Sequence, residues 1–123
     1  TGSPYQDVVW NGQKHRIGQA NNVFIFPGLG LGAIVAGATR VTDAMISAAA
    51  MALAEFLTDA NIEEGVLMPR IGKLWEATGC VGLAVARQAI EDGVATKVTE
   101  SELEAAFAEY RWFPDYPEFI KDE

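Results

Sequence analysis

A glycine-rich apolar stretch, residues 20–38, constrains the fold of this chain more than any other segment. It reads ANNVFIFPGLGLGAIVAGA and contains no charged side chain. Pro27 is preorganised for the first turn of a helix, so one interpretation is a helix from Pro27 to about Ala38. Each glycine weakens such a helix by about 1 kcal/mol relative to alanine. The helix is therefore expected to form only where it packs closely against its neighbours.

A second interpretation of the same stretch is a strand that feeds a glycine-rich phosphate loop. A dinucleotide-binding loop requires the spacing G-x-G-x-x-G, with an acidic residue about 20 positions later. Gly28, Gly30 and Gly32 give G-x-G-x-G instead. Glu55 stands near the required distance, but it falls inside a predicted helix. Pro27 also removes one backbone N–H donor from the loop. The sequence therefore favours the closely packed helix.

Two adjacent asparagines, Asn21 and Asn22, stand directly in front of the apolar run. An asparagine side chain carries two N–H donors and one oxygen acceptor on a short arm. Such a residue often forms a local turn or a helix cap. Alternatively, one of the two side chains holds the carboxamide or the carboxylate of a ligand. The residues alone leave both interpretations open.

A hairpin and a second helix are predicted from local signals. Asn11-Gly12 tolerates the positive φ angles of a type I′ turn, so the segments on either side of it are predicted to pair. Thr42-Asp43 is a helix cap, and apolar residues at helical spacing predict a helix from there to about Thr58-Asp59. We expect residues 59–68 to form a loop.

Two more helices and a tail complete the predicted architecture. Apolar periodicity predicts a helix over residues 71–92, with Gly93 as its C-terminal stop. The capping box TESE at residues 99–102 predicts a last helix over about residues 100–110. Residues 112–119 read WFPDYPEF and show neither helical nor strand periodicity, so we expect an extended arm. The chain is thus predicted to be mostly helical with one hairpin.

Length and charge limit the classes of function. A chain of 123 residues is long enough for one domain. Its net charge of −8 argues against nucleic acid or an anionic membrane as a partner. Cys80 is the only cysteine, which excludes an internal disulfide and makes a reducing compartment the default. We expect Cys80 to be a buried, inert thiol and His15, the only histidine, to be exposed and non-catalytic.

Four segments of the chain resemble the malic enzymes of the large-subunit class. IGQANNVFIFPG is similar to that family's signature IGQ-x-NN-x-FIFPG. TGSPY resembles the family's T-G-S-P-F, with Tyr5 in place of phenylalanine. VLMPRI resembles L-x-P-P-[IL], with Arg70 in place of the second proline, and WFPDYP resembles the family's Trp-x-Pro-x-Tyr ending. The resemblance extends from residue 1 to about residue 117.

The resemblance implies a fold and an organisation. The fold class is α/β: the C-terminal, mostly helical portion of a Rossmann-type NAD-binding domain, with one β-hairpin and an extended C-terminal tail. Residues 1–95 would belong to the NAD-binding domain, and residues 96–123 would form a C-terminal helix and tail. Because the family's cofactor loop lies upstream of the matched segment, Gly28, Gly30 and Gly32 are then expected to be packing residues.

The resemblance also implies a reaction. Malic enzymes oxidise malate with NAD or NADP and a divalent metal ion, Mg²⁺ or Mn²⁺, and release CO₂ to give pyruvate. An NAD-dependent enzyme is the expectation here. The family's acid–base pair, metal ligands and dinucleotide loop lie upstream, so this segment is expected to hold no catalytic and no metal-binding residue. The chain alone is therefore expected to be inactive, as a fragment of a longer enzyme.

Site residues and partners follow from the same resemblance. It implies that Asn22 contacts the malate carboxylate and the nicotinamide, and that Asn21 has a lesser role in binding the cofactor. It places Gly2 and Ser3 near the cofactor cleft. The expected partners are malate, the remainder of the malic enzyme chain and further copies in a homodimer or homotetramer. Nucleic acid and membranes are not expected, and the expected location is the cytoplasm.

Two alternatives remain open at this point. A malolactic enzyme uses the same scaffold with NAD but converts malate to lactate without net release of NADH. A non-catalytic helical module that docks on a partner would also suit the apolar surface of residues 23–38.

Overall fold

The computed structural model describes residues 2–3, 5–110 and 116. Five α-helices and one two-stranded hairpin account for the regular structure of this part, with two short 3₁₀ turns. The predicted architecture, mostly helical with one hairpin, is confirmed. The predicted C-terminal arm falls almost entirely outside the described residues. The elements are β1 (Val8–Trp10), β2 (Gln13–His15), a 3₁₀ turn (Asn22–Phe24), α1 (Phe26–Ala36), α2 (Asp43–Glu55), α3 (Asp59–Glu63), a 3₁₀ turn (Ile71–Lys73), α4 (Leu74–Glu91) and α5 (Leu103–Tyr110).

The hairpin forms as its turn predicts. Asn11 and Gly12 have φ angles of 50° and 74°, which a type I′ turn requires at both central positions. The two strands pair antiparallel, with Val9 opposite Lys14. Every residue of both strands is exposed, so the hairpin contributes nothing to the core within the described residues.

The glycine-rich stretch forms a helix and not a phosphate loop. Pro27 lies in the first turn of α1, and Val23 belongs to a 3₁₀ turn in place of a strand. The helix ends at Gly37, whose φ of 61° is the left-handed conformation that glycine favours at a helix C-terminus. Gly93 has a φ of 67° just after α4, so its predicted role as a C-terminal stop is confirmed.

Two of the three glycines bring α1 against α4, and the third does not. A Cβ on Gly28 would lie 2.6 Å from Val81. A Cβ on Gly32 would lie against the carbonyl oxygen of Gly82 and 2.8 Å from the Cβ of Val85. Positions four apart share a helix face, whereas a position midway between them faces away. Gly30 accordingly meets no atom within 4 Å among the described residues, so the close approach of α1 to α4 depends on Gly28 and Gly32.

Helix α4 is the centre of the core. It packs most extensively on α1, then on α2, and it also contacts α5. A Cβ on Gly82 would lie 2.6 Å from the ring of Phe107. The absence of a side chain at position 82 therefore allows α5 to pack closely against α4. The buried core is contributed by all four longer helices and two connecting segments. It consists of Phe24, Val35, Ala36, Met45, Ala49, Leu53, Ala77, Val81, Val85, Ala86, Ala89, Val94, Leu103 and Phe107.

The C-terminal ends of α1 and α4 are joined by backbone hydrogen bonds between the loops that follow them. The Thr39 N–H donates to the Val94 carbonyl at 3.0 Å. In the other direction, the N–H groups of Thr96 and Lys97 both donate to the Ala36 carbonyl, at 3.0 and 3.1 Å. The two helix ends are therefore fixed to each other by polar bonds as well as by packing.

Two helix boundaries, one predicted loop and one burial prediction differ from the structure. Helix α2 ends at Glu55, and the predicted loop contains the short helix α3, which Thr58 and Asn61 cap reciprocally. The last helix starts at Leu103, three residues later than predicted. Cys80 is exposed, so the prediction of a buried thiol is wrong. Its neighbours Val81 and Ala77 face the core instead.

An acid-sensitive link connects the start of α2 to the end of α4. The Thr42 hydroxyl accepts the Met45 N–H at 3.1 Å as the cap of α2, and it donates to the Asp92 carboxylate. The Gln88 amide donates to the same carboxylate at 2.9 Å. These hydrogen bonds, that from Thr42 first, lower the pKa of Asp92 below its ordinary value.

The stability of the protein is expected to depend on pH through Asp92. Because its pKa is lower in the folded chain, its contribution is complete above the unfolded value of about 3.9 and is lost as pH falls through the folded pKa. Asp92→Asn removes this titration. Between about pH 7 and about pH 3, the urea midpoint should therefore fall less in the variant than in the wild type. Equal falls in the two proteins would contradict the prediction.

Within the described part of the chain, none of the helices combines the length and the apolar character that a membrane span requires.

Candidate functional site

The two asparagines lie in the 3₁₀ turn that leads into α1, and they differ in what their side chains do. Asn21 caps the turn: its backbone is extended, and its side-chain oxygen accepts the Val23 N–H at 3.0 Å. The local-cap interpretation is therefore confirmed for Asn21. Asn22 is the first residue of the turn and is exposed.

The N-terminal segment is tied to this turn through one carbonyl group. The Asn21 side-chain amide donates to the Gly2 carbonyl at 3.2 Å. The Gln19 side-chain amide donates to the same oxygen at 2.5 Å. Gly2 is thus in direct contact with two residues that lie 17 and 19 positions further along the chain. The structure therefore brings together Gly2 and Asn21, two of the four residues that the sequence analysis assigns to the site.

Asn22 keeps its side chain available. In the part of the chain that the structure describes, its amide has no hydrogen-bond partner, and its side chain is exposed. The two donors and the acceptor of Asn22 can therefore all serve a ligand. Ser3, the fourth assigned residue, follows Gly2 and is exposed as well. We call Gly2, Ser3, Gln19, Asn21 and Asn22 the amide cluster.

The amide cluster is neutral and open. None of its five residues carries a charge, so it offers hydrogen bonds and no acid or base for catalysis. His15 lies on β2 and is exposed, as expected. A groove of about 530 Å³ runs between α2 and α4, but its lining contains none of the cluster residues. A ligand at the cluster would need a second wall from elsewhere.

The donors present fit one end of a nucleotide cofactor. A carboxamide needs one donor and one acceptor, and the Asn22 amide supplies both. Gly28 and Gly32 do not suit a pyrophosphate, because α4 covers them. Among the described residues, no group of three or more His, Cys, Asp or Glu side chains could hold a metal ion. The exposed Asn22 amide thus has the hydrogen-bonding groups that the carboxamide end of such a cofactor requires.

Sequence reasoning missed Gln19. The residue stands inside the IGQ-x-NN motif, and this position was the only signal that could have drawn attention to it. Its contact with Gly2 spans 17 residues, and periodicity reports only on neighbours within a few positions.

Comparison with known proteins gives a consistent result. The family model "Malic enzyme, NAD binding domain" matches residues 1–90. The chain is 40% identical over 116 residues to NAD-dependent malic enzyme 2 of Photobacterium profundum, covering 94% of this chain and 21% of that protein. It is 36% identical over 119 residues to the NAD-dependent malic enzyme of Salmonella arizonae, covering 97% of this chain and 21% of that protein.

A solved structure is similar as well. The crystal structure of Entamoeba histolytica malic enzyme matches with a TM-score of 0.60 and 34% sequence identity. The match covers 76% of this chain and 20% of that one. The chain thus spans about a fifth of the length of the relatives that it matches.

Proposed function

The chain belongs to the malic enzyme NAD-binding domain family, and we propose that it supplies one wall of the nicotinamide and malate cleft of an NAD-dependent malic enzyme. The predicted fold, a mostly helical portion of an NAD-binding domain with one hairpin, is confirmed by the family model and by the solved malic enzyme structure. The complete enzyme would convert malate to pyruvate and CO₂. Its NAD would accept the hydride from malate.

The free amide of Asn22 is the observation that carries this proposal. Asn22 is exposed, and it directly follows Asn21, which together with Gln19 donates to the Gly2 carbonyl. In the proposed role, the Asn22 N–H groups donate to a carboxylate of malate and its oxygen accepts from the nicotinamide carboxamide. Asn21 and the Gly2–Ser3 backbone would complete the contact with the cofactor. The Mg²⁺ or Mn²⁺ ion would be bound by residues other than those described.

An exposed apolar face on α1 supports a larger assembly. Phe26 and Ile34 are 59% and 56% exposed, and with Gly30 they form the face opposite to α4. Exposed apolar patches of this kind usually mark a contact surface. We propose that the remainder of a malic enzyme covers this face and that the enzyme is a homo-oligomer in the cytoplasm. We propose that residues 1–95 belong to the NAD-binding domain and that residues 96–123 form a C-terminal helix and tail, of which α5 packs into the same core as α4.

Turnover of malate by the complete protein tests the proposed function. With malate, NAD and Mg²⁺ or Mn²⁺, we expect NADH to appear in step with pyruvate and CO₂. The measurement is NADH absorbance together with quantification of the acid product. Lactate without net NADH would identify a malolactic enzyme instead. If neither product forms from correctly folded protein, the chain serves as a docking module and the enzymatic proposal is wrong.

A further inference from the structure

We propose that Gln19 is a positioning residue that holds the Ser3 backbone N–H as a fixed donor toward the bound cofactor or substrate. The inference rests on the proposed function, because it assumes a ligand at the amide cluster. It assigns a role to a residue that contacts no ligand itself.

Hydrogen bonds, not packing, hold the Gly2–Ser3 segment. Both residues are exposed, and a Cβ on Gly2 would meet no atom within 4 Å among the described residues. The two side-chain amides that donate to the Gly2 carbonyl are the described contacts that fix it. A carbonyl oxygen has two lone pairs, so Gln19 and Asn21 together satisfy it. Loss of either bond would leave this exposed segment free to rotate.

The direction of the Ser3 N–H follows from peptide geometry. The Gly2 carbonyl and the Ser3 N–H belong to one planar, trans peptide unit, so they point in opposite directions. With the oxygen turned toward Gln19 and Asn21, the Ser3 N–H is turned away from them. Among the described residues, it has no backbone partner. The clamp on the oxygen therefore holds a donor that none of the described residues uses, and such a donor suits a carboxamide oxygen or a carboxylate.

Gln19 is the member of the clamp whose effect can be isolated. Asn21 also caps the turn that carries Asn22, so its replacement would disturb both halves of the site. The Gln19 side chain makes one described hydrogen bond, to Gly2, and it makes the shorter of the two bonds to that oxygen. Gln19→Met keeps the length of the side chain and removes the N–H donor. Gln13→Met, on the exposed strand β2, is the matched control.

The test uses the complete enzyme and two measurements. In Gln19→Met we expect the Kd for NAD, measured by titration calorimetry without malate, to rise about fivefold, the value of one net hydrogen bond. We expect the KM for NAD to rise by the same factor with kcat unchanged, because a bond made equally in the ground and transition states affects only binding. Gln13→Met should change neither quantity. The melting temperature should be the same in all three proteins.

A pH profile separates positioning from a merely structural role. Gln19→Glu keeps the side-chain shape but has no donor at neutral pH, and its carboxyl regains an O–H donor when protonated. The excess in Kd over the wild type should therefore shrink as pH falls toward about 4.3, the ordinary value for a glutamic acid. A purely structural defect would not recover in this way.

Five results would overturn the inference. An unchanged Kd for NAD in Gln19→Met would do so, as would a lowered melting temperature at unchanged Kd. A Gln19→Glu excess that does not depend on pH would also reject it. If Asn22→Ala impairs the enzyme while Gln19→Met binds NAD normally, the inference fails and the proposed function stands. If the wild-type enzyme neither binds NAD nor turns over malate, both fail together.

Discussion

Asn22→Ala in the complete enzyme is expected to raise the KM for malate, or to lower kcat, by about 10- to 100-fold. This range corresponds to a hydrogen bond between an amide and a charged group, about 1.5–3 kcal/mol. The melting temperature should not change, because Asn22 is exposed and its side chain has no partner in the described part of the chain. Steady-state kinetics and thermal unfolding of the same preparation provide the two measurements.

Asn61→Ala is the matched control for this prediction. The Asn61 side chain accepts the Thr58 N–H at 3.3 Å as part of the capping box of α3. Its loss should reduce the free energy of unfolding by about 1 kcal/mol and leave the kinetic constants alone. Asn22→Ala should therefore change the kinetic constants and not the stability, whereas Asn61→Ala should change the stability and not the kinetic constants. Unchanged kinetics in Asn22→Ala would remove Asn22 from the site.

Gly32→Ala is expected to destabilise the protein by about 2 kcal/mol, although alanine is the better helix former. The added Cβ would lie against the Gly82 carbonyl oxygen and 2.8 Å from the Cβ of Val85. The carbonyl belongs to the backbone of α4, so no side-chain rotation can make room. The helices must move apart, and the core contacts between α1 and α4 must loosen. Urea unfolding followed by circular dichroism measures the effect.

Gly30→Ala is the internal comparison, since it makes the same substitution two residues away in the same helix. Its Cβ meets no atom within 4 Å among the described residues, so only the gain in helix propensity remains. We expect the free energy of unfolding to rise by up to about 1 kcal/mol. If Gly30→Ala and Gly32→Ala were equally destabilising, the outer face of α1 would also be closely packed, and the explanation from α4 alone would be wrong.

The sequence was sufficient to predict most of the helices and the hairpin. Long periodic segments, the Asn11-Gly12 turn and the stop at Gly93 each carry a local signal, and each is confirmed. Helix α3 was missed because five residues are too few for a periodic pattern. Cys80 was misjudged because its apolar character was taken as a sign of burial, whereas its position places it on the exposed face of α4 with Glu76, Arg87 and Glu91.

The site was less accessible to sequence reasoning than the fold. The Asn21-Asn22 pair attracted attention as a local feature, but the sequence could not say which of the two serves as a cap. Asn21 caps the turn through the Val23 N–H, and its amide nitrogen also donates to Gly2, which lies 19 residues away. The Gln19 amide donates to the same Gly2 carbonyl oxygen, and no periodic pattern in the sequence indicates this contact. Contacts between irregular segments follow from the folded backbone, and the residues that make them carry no recurring pattern.

The hydrogen bonds between the loops that follow α1 and α4 determine how the molecule opens locally. Thr39 and Val94 belong to different loops, and Thr96 donates to Ala36, the last residue of α1, so the loop after α4 cannot detach without breaking bonds to the end of α1. Residues 36–39 and 93–97 should therefore exchange their amide hydrogens as one cooperative unit. The amide cluster lies at the other end of α1 and shares none of these bonds. Its fluctuations are thus decoupled from the most firmly bonded end of the helix.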